Sequence, residues 1–303
     1  MARLPEGRHN TDPGIAALYD HPFTITRPER QTQPFVFASP HSGRHYPASF
    51  VARSRLAPLA LRRSEDAFVD EIFSSVVGLG APLIAARFPR AFLDANRAPS
   101  EFDNTMFAGT LPFAVDSQSP RVTAGLGGIP RVVRDGAESD REKLSTGEAE
   151  TRMARLYRPY HDALAKLIAD TREQFGFAIL IDCHSMPSAA AVPDVIVGDR
   201  YGVSAAPLLT RLAEHAFETR GFSVARNTPY AGGHTTHLHG RRGGPVQALQ
   251  IEISRALYLD EERIVPSAQF ESLRARVGDA LRALLSADLS TIGLARATPL
   301  AAE

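Results

Sequence analysis

Residues 177–187, FAILIDCHSMP, constrain the fold of this chain more than any other stretch. An apolar run of this length fits a buried strand, yet it ends in a carboxylate and an imidazole, groups that are costly to bury without partners. Period-two alternation puts Ile179, Ile181 and Cys183 on one face and Leu180, Asp182 and His184 on the other. The acid and the imidazole therefore share one side of the strand tip. In open α/β sheets ligands bind beyond the carboxyl ends of the strands, and an imidazole held beside an acid is a common form of metal ligand. A histidine simply satisfied by its neighbouring aspartate fits the same residues.

The 303 residues suffice for one large α/β domain, and a single domain spanning 1–303 is expected. Lys+Arg and Asp+Glu are 34 each, so no net basic field points to nucleic acid or to a membrane surface, and small-molecule partners are expected instead. Cys183 is the one cysteine and can form no intrachain disulfide. The N-terminal MARLPEGRHNTDPG has no apolar core of a secretory signal, and no apolar run reaches the roughly 20 residues of a membrane-spanning helix. A cytoplasmic setting is the expectation that follows.

Along the chain, residues 1–32 read as an arm laid over the surface. Phe35 to Ser39 reads as a short strand running into Pro40, His41, Ser42 and Gly43, a second strand end that carries an imidazole. Ser64 is placed to cap a helix with Glu65 and Asp66 in its first turn and Phe68, Ile72, Phe73 and Val76 on its apolar stripe. Residues 82–88 and 91–94 read as strands, and 100–147 as a loop-rich insertion of the kind that forms a lid or binding loop. The longest helical pattern runs from Glu148 to Phe175, with a kink expected at Pro159. Then follow strands at 195–197 and near 222–225, a helix over 204–220, a glycine-rich loop at 227–244, a strand at 246–254, a helix over 267–285 and a tail from 286. Strands alternating with helices predict an α/β fold built on a mostly parallel mixed sheet.

In Val246 to Ser254 the alternation puts Gln250, Glu252 and Ser254 on one face of an otherwise apolar strand. Partial desolvation there would raise the pKa of Glu252 toward that of a general base, while an ion pair with Arg255 or Arg241 fits the sequence equally well. His41 and His184 with Asp66 would make a three-ligand metal site with an open position, although Asp66 could instead complement a helix dipole, and Glu65 is its rival as ligand. Asn96 and Arg97 can offer donors to a carboxylate, and Arg90 could reach an oxyanion. His234, His237 and His239 read as part of a mobile binding loop rather than a second metal site.

Seven motifs in order resemble those of the N-formylglutamate amidohydrolases, within the wider zinc carboxypeptidase and aspartoacylase fold group. They are SPHSGRHYP, SEDAFVDEIF, LDANRAPSEFD, RLYRPYHDAL, DCHS, PYAGGHTTHLHGR and ALQIEISRALYLDE, and they span about Phe35 to Asp260. The resemblance implies a three-layer fold with helices on both faces of the sheet and one zinc ion held by His41, Asp66 and His184. It further implies Glu252 as general base, Arg90 near the oxyanion, Asn96 and Arg97 on the substrate carboxylate, and an acidic N-acyl amino acid as substrate, N-formyl-L-glutamate first. Two positions depart from the family pattern. Arg44 stands where the fold group's His-x-x-Glu motif has its glutamate. In the loop the family's Gly-Gly-x-x-Thr-Arg reads Gly-Gly-His-Thr-Thr-His, so Thr236 is kept as a substrate contact and His237 replaces an arginine. That replacement leaves open a larger N-acyl amino acid or short peptide as substrate, and a non-catalytic anion-binding module on the same fold is the reading from another class.

Overall fold

The computed structural model describes residues 12–133, 142–189 and 192–289. The expected arm carries defined structure where it is described. Helix α1 (Pro13–Asp20) is capped by Asp12, whose carboxylate accepts from Gly14 N, and buries Ile15 and Leu18. Strand β1 (Phe23–Thr26) follows, then β2 (Phe35–Ser39), as expected. Short helices α2 (Ala48–Arg53) and α3 (Pro58–Arg62) come next. Ser64 does not cap a helix, since its hydroxyl donates back to Leu61 O and closes α3. The helix predicted from that cap is broken because Phe68 takes a left-handed conformation, φ 63°. It leaves two single turns, α4 (Val69–Ile72) and α5 (Ser75–Gly78), with Asp66 in the connecting segment before them rather than in a helix.

Strand β3 (Leu83–Ala86) forms, whereas 91–94 is a loop and not a strand. In the described part of the insertion there is one 3-10 turn (Asn104–Met106), helix α6 (Pro120–Thr123) and a parallel bridge between Phe107 and Leu144. Helix α7 (Thr146–Arg152), capped by Ser145, passes through a π-helical turn (Met153–Tyr157) into α8 (Arg158–Phe175). The irregularity expected from Pro159 thus takes the form of a π turn just ahead of it. Then come β4 (Ala178–Met186), β5 (Val195–Gly198), α9 (Pro207–Glu218), β6 (Val224–Arg226), α10 (His234–His239) and β7 (Val246–Ser254). A two-stranded ribbon of β8 (Leu259–Asp260) and β9 (Val265–Pro266) precedes α11 (Phe270–Leu285). Helix α10 lies inside the stretch predicted as loop. The expected tail lies outside the described residues from 290 onward.

The strands form one mixed sheet in the order β1-β3-β2-β4-β7-β5-β6. β2 with β4, β4 with β7 and β5 with β6 are parallel, and β5 runs antiparallel to β7. By contact density the chain divides into two compact units. The first comprises Met1–Thr24, Pro40–Ala67 and Ala85–Asp162; the second comprises Ile25–Ser39, Phe68–Ile84 and Ala163–Glu303. In the second unit, Phe35, Phe37, Ile179, Ile181, Leu249 and Ile251 share one face of β2, β4 and β7 and are fully buried, and Phe37 meets Phe73 at 6.4 Å between ring centroids. On the other face the same strands change from apolar to polar toward their carboxyl ends, in the series Leu180, Asp182, His184 and its neighbour series Ala248, Gln250, Glu252. No helix among the described residues is long and apolar enough to cross a membrane.

Candidate active site

In the first unit the site is organised by His41. The segment after β2 runs close against residues 87–88, where His45 N donates to Arg87 O and a Cβ on Gly43 would lie 2.1 Å from Phe88 O, so residue 43 has room for glycine alone. His41 is buried. Its Nδ1 lies 3.3 Å from Asp66 Oδ2, and its Nε2 lies 2.7 Å from Asp94 Oδ1. Asp66 N also donates to His41 O, which fixes the turn carrying the carboxylate beside the imidazole. Glu65 points elsewhere, its two oxygens accepting from Arg62 Nε and Nη2 at 2.9 and 3.1 Å.

Asp94 gathers the candidate substrate groups. Its Oδ1 accepts from Asn96 N at 2.8 Å, and its Oδ2 from Arg90 Nε at 3.0 Å with Arg97 Nη2 at 3.4 Å. Burial alone would push its pKa up, but the Arg97, His41 and Arg90 charges hold it well below the usual carboxylate range. Arg97 is itself buried, which lowers its pKa to about 10, and it also donates to Leu126 O and Asn96 O. Asp94 is not among the site residues expected from the sequence. The signal was there, an acid inside the apolar run AFLDA two residues before Asn96.

In the second unit, His184 and Glu252 are register partners on the adjacent parallel strands β4 and β7, as are Asp182 and Gln250. His184 Nε2 lies 3.1 Å from Asp182 Oδ1. Gln250 Nε2 donates to Glu252 Oε1 at 2.9 Å, and Gln250 Oε1 accepts from Gly233 N at 2.9 Å, so one amide joins the carboxylate to the start of α10. Of the two arginines considered as partners of Glu252, Arg241 donates to the carbonyls of His237 and Gly240, and Arg255 to Ser185 Oγ. Thr236 is buried and donates to Gly233 O, whereas His237 is exposed. Burial and the nearby Arg200 and Arg241 charges lower the His237 pKa.

His41, Asp66 and His184 are all buried, and each offers one atom that could ligate a metal ion. The family model for N-formylglutamate amidohydrolase matches residues 33–259. The chain belongs to this family. It is 30% identical over 267 residues to the N-formylglutamate deformylase of Pseudomonas putida, covering 85% of this chain and 92% of that protein. The enzyme of the same name from Pseudomonas aeruginosa is 29% identical over 267 residues, covering 85% and 91%. Among solved structures, the N-formylglutamate amidohydrolase of Ralstonia eutropha JMP134 superposes with a TM-score of 0.81 at 34% identity, covering 87% of this chain and 96% of that one.

The side chains of this family member suit a metal ion. Two imidazoles and one carboxylate are a common donor set for a divalent ion, and their burial would exclude competing water. The Asp94 carboxylate accepting from His41 Nε2 would leave Nδ1, on the Asp66 side, as the ligand atom, the carboxylate–histidine arrangement that orients metal-binding imidazoles. The buried group could therefore bind a metal ion.

Proposed function

We propose that this chain is a zinc-dependent amidohydrolase that cleaves N-formyl-L-glutamate to formate and L-glutamate. The observation that carries the reading is the buried His41, Asp66 and His184 group in a chain of this family. Zinc held by these three side chains would supply Lewis acidity, acidifying water and polarising the formyl carbonyl. Glu252, held at Oε1 by Gln250, takes a proton from the attacking water and returns it to the departing amine. Arg90 stabilises negative charge developing on the formyl oxygen. Asn96 and Arg97, with Thr236 and His237 from α10, bind and orient the acidic amino acid, which turns binding energy into placement of the amide. The proposal takes 1–303 as one catalytic domain in a cytoplasmic setting.

The test is elemental analysis of the purified protein followed by a formate-release assay. One zinc per chain, activity lost to a chelator and restored by Zn²⁺ are the expected results; a metal-free protein with undiminished activity would discard the zinc reading, and a protein with neither metal nor activity would favour the anion-binding module. His237 favours a second reading, because an imidazole whose pKa is lowered by desolvation and by the Arg200 and Arg241 charges grips a carboxylate less firmly than an arginine. If a larger N-acyl amino acid is the true substrate, a panel of formyl, acetyl and peptidyl compounds will rank it above N-formylglutamate in kcat/KM.

A further inference from the structure

Residues 91–97, which present Asp94, Asn96 and Arg97, form a loop, with no strand at 91–94 where the apolar character predicts one, so their carbonyls have no sheet ladder to enter. Three of those carbonyls are met by side chains from the single helical run 146–175. Arg152 Nη1 donates to Phe92 O at 2.7 Å, Tyr157 OH to Arg97 O at 2.7 Å, and His161 Nε2 lies 2.9 Å from Ala95 O. A carbonyl accepts and cannot donate, so the His161 contact requires the tautomer with its proton on Nε2. Ala95 and Arg97 flank Asn96, and the backbone of the Asn96–Arg97 pair is therefore gripped on both sides.

The π turn makes this comb possible. In a regular α-helix residues five apart lie about 140° apart round the axis, so Arg152 and Tyr157 would face different ways. A turn with i→i+5 bonding brings residues five apart onto one face, and Tyr157 and His161, four apart, already share a face. With the π turn at Met153–Tyr157, all three donors reach the same loop. The Tyr157 and His161 rings also pack at 4.3 Å between centroids, which limits the rotamers of both.

Resting on the function proposed above, we infer that Tyr157 and His161 are positioning residues for substrate-carboxylate recognition, and that the π turn sets their register. They touch no substrate; they hold the backbone of Asn96 and Arg97 so that its donors are in place before substrate arrives. Tyr157→Phe removes one hydroxyl. His161→Leu removes the second donor, while His161→Gln keeps an N–H near the Nε2 position.

The experiment compares these variants with the wild type on N-formylglutamate and on two analogues, each lacking one of its two carboxylates. Zinc content, thermal midpoint and calorimetric binding of L-glutamate are measured alongside. Tyr157→Phe and His161→Leu should each raise KM for N-formylglutamate about tenfold with kcat within about threefold. Both should weaken L-glutamate binding by a similar factor, leave zinc stoichiometry unchanged and lose most of the penalty on one of the two analogues. His161→Gln should restore most of what His161→Leu loses, and this pair decides the matter if Tyr157→Phe does not fold. Equal penalties on all three substrates, or no change in KM and glutamate binding, would overturn the inference while leaving the hydrolase intact. A wild type that releases no formate would remove the function first and this inference with it.

Discussion

Two carboxylates in the first unit, the buried Asp94 and the half-buried Glu148, are each pinned by two arginines, yet their surroundings differ. Glu148 accepts from Arg53 Nη1 and Nη2 at 2.8 and 2.9 Å and from Arg152 Nη2. The Arg152 guanidinium lies 3.6 Å over the Phe92 ring and donates to Phe92 O, so the knot closes on itself and on the core. Asp94 shares one oxygen between its arginines and turns the other toward His41 Nε2 and Asn96 N. The arginine–carboxylate chemistry is the same in both. What separates the two is the third partner: an aromatic ring in one case, a candidate metal-ligand imidazole in the other.

Activity calibrates that contrast from outside both clusters. Glu252→Gln should keep its metal and lower kcat by about 10²–10⁴, and near-normal turnover in that variant would eliminate Glu252 as the base. Within the knot, Glu148→Ala leaves a fully buried guanidinium short of its carboxylate and should cost about 3–5 kcal/mol of stability in denaturant unfolding. Metal affinity and kcat of the folded fraction should stay within about twofold; a large loss of either would show that the two clusters are coupled.

Acid provides the next separation. Burial pushes the Glu148 pKa up, but Arg152 and Arg53 prevail and hold it at about 2 against an ordinary 4.5. Because the folded pKa is depressed, its contribution is complete above the unfolded value and falls away as pH drops from 4.5 toward 2. The shift corresponds to about 3 kcal/mol as an upper figure. The stability gap between wild type and Glu148→Gln should therefore narrow over that window, and a gap that stays constant down to pH 2 would contradict the assignment. The smallest effect is expected at the Asp94 cluster, where Asp94→Asn should weaken metal binding by about 10–100-fold with a modest change in thermal midpoint. Unchanged metal affinity together with a large stability loss would make Asp94 a second structural knot.

Much of this was legible along the chain because it depends on local periodicity. The alternation in β4 and β7 placed Asp182, His184, Gln250 and Glu252 on common faces, and the parallel register sets them side by side. The strand predicted at 91–94 failed for a non-local reason, since the Phe92 and Arg97 carbonyls are satisfied by Arg152 and Tyr157, each 60 residues away. Asp66 lies outside the helix that its neighbours' apolar spacing predicts, because the left-handed Phe68 breaks that helix. Helix α10 escaped notice inside a glycine-rich stretch, where Gly233 N is satisfied by Gln250 rather than by a side-chain cap.

The sequence by itself determined the α/β alternation, the buried strands and the side of each strand on which the polar groups stand, because side-chain alternation along a strand is a property of the backbone alone. The tertiary structure decided which carboxylate faces His41, which acid stands behind that imidazole and which helix holds the Asn96–Arg97 loop. These are pairings between residues 25, 53 and 60 or more positions apart, and a burial cost met by a distant partner leaves no periodic trace in the chain.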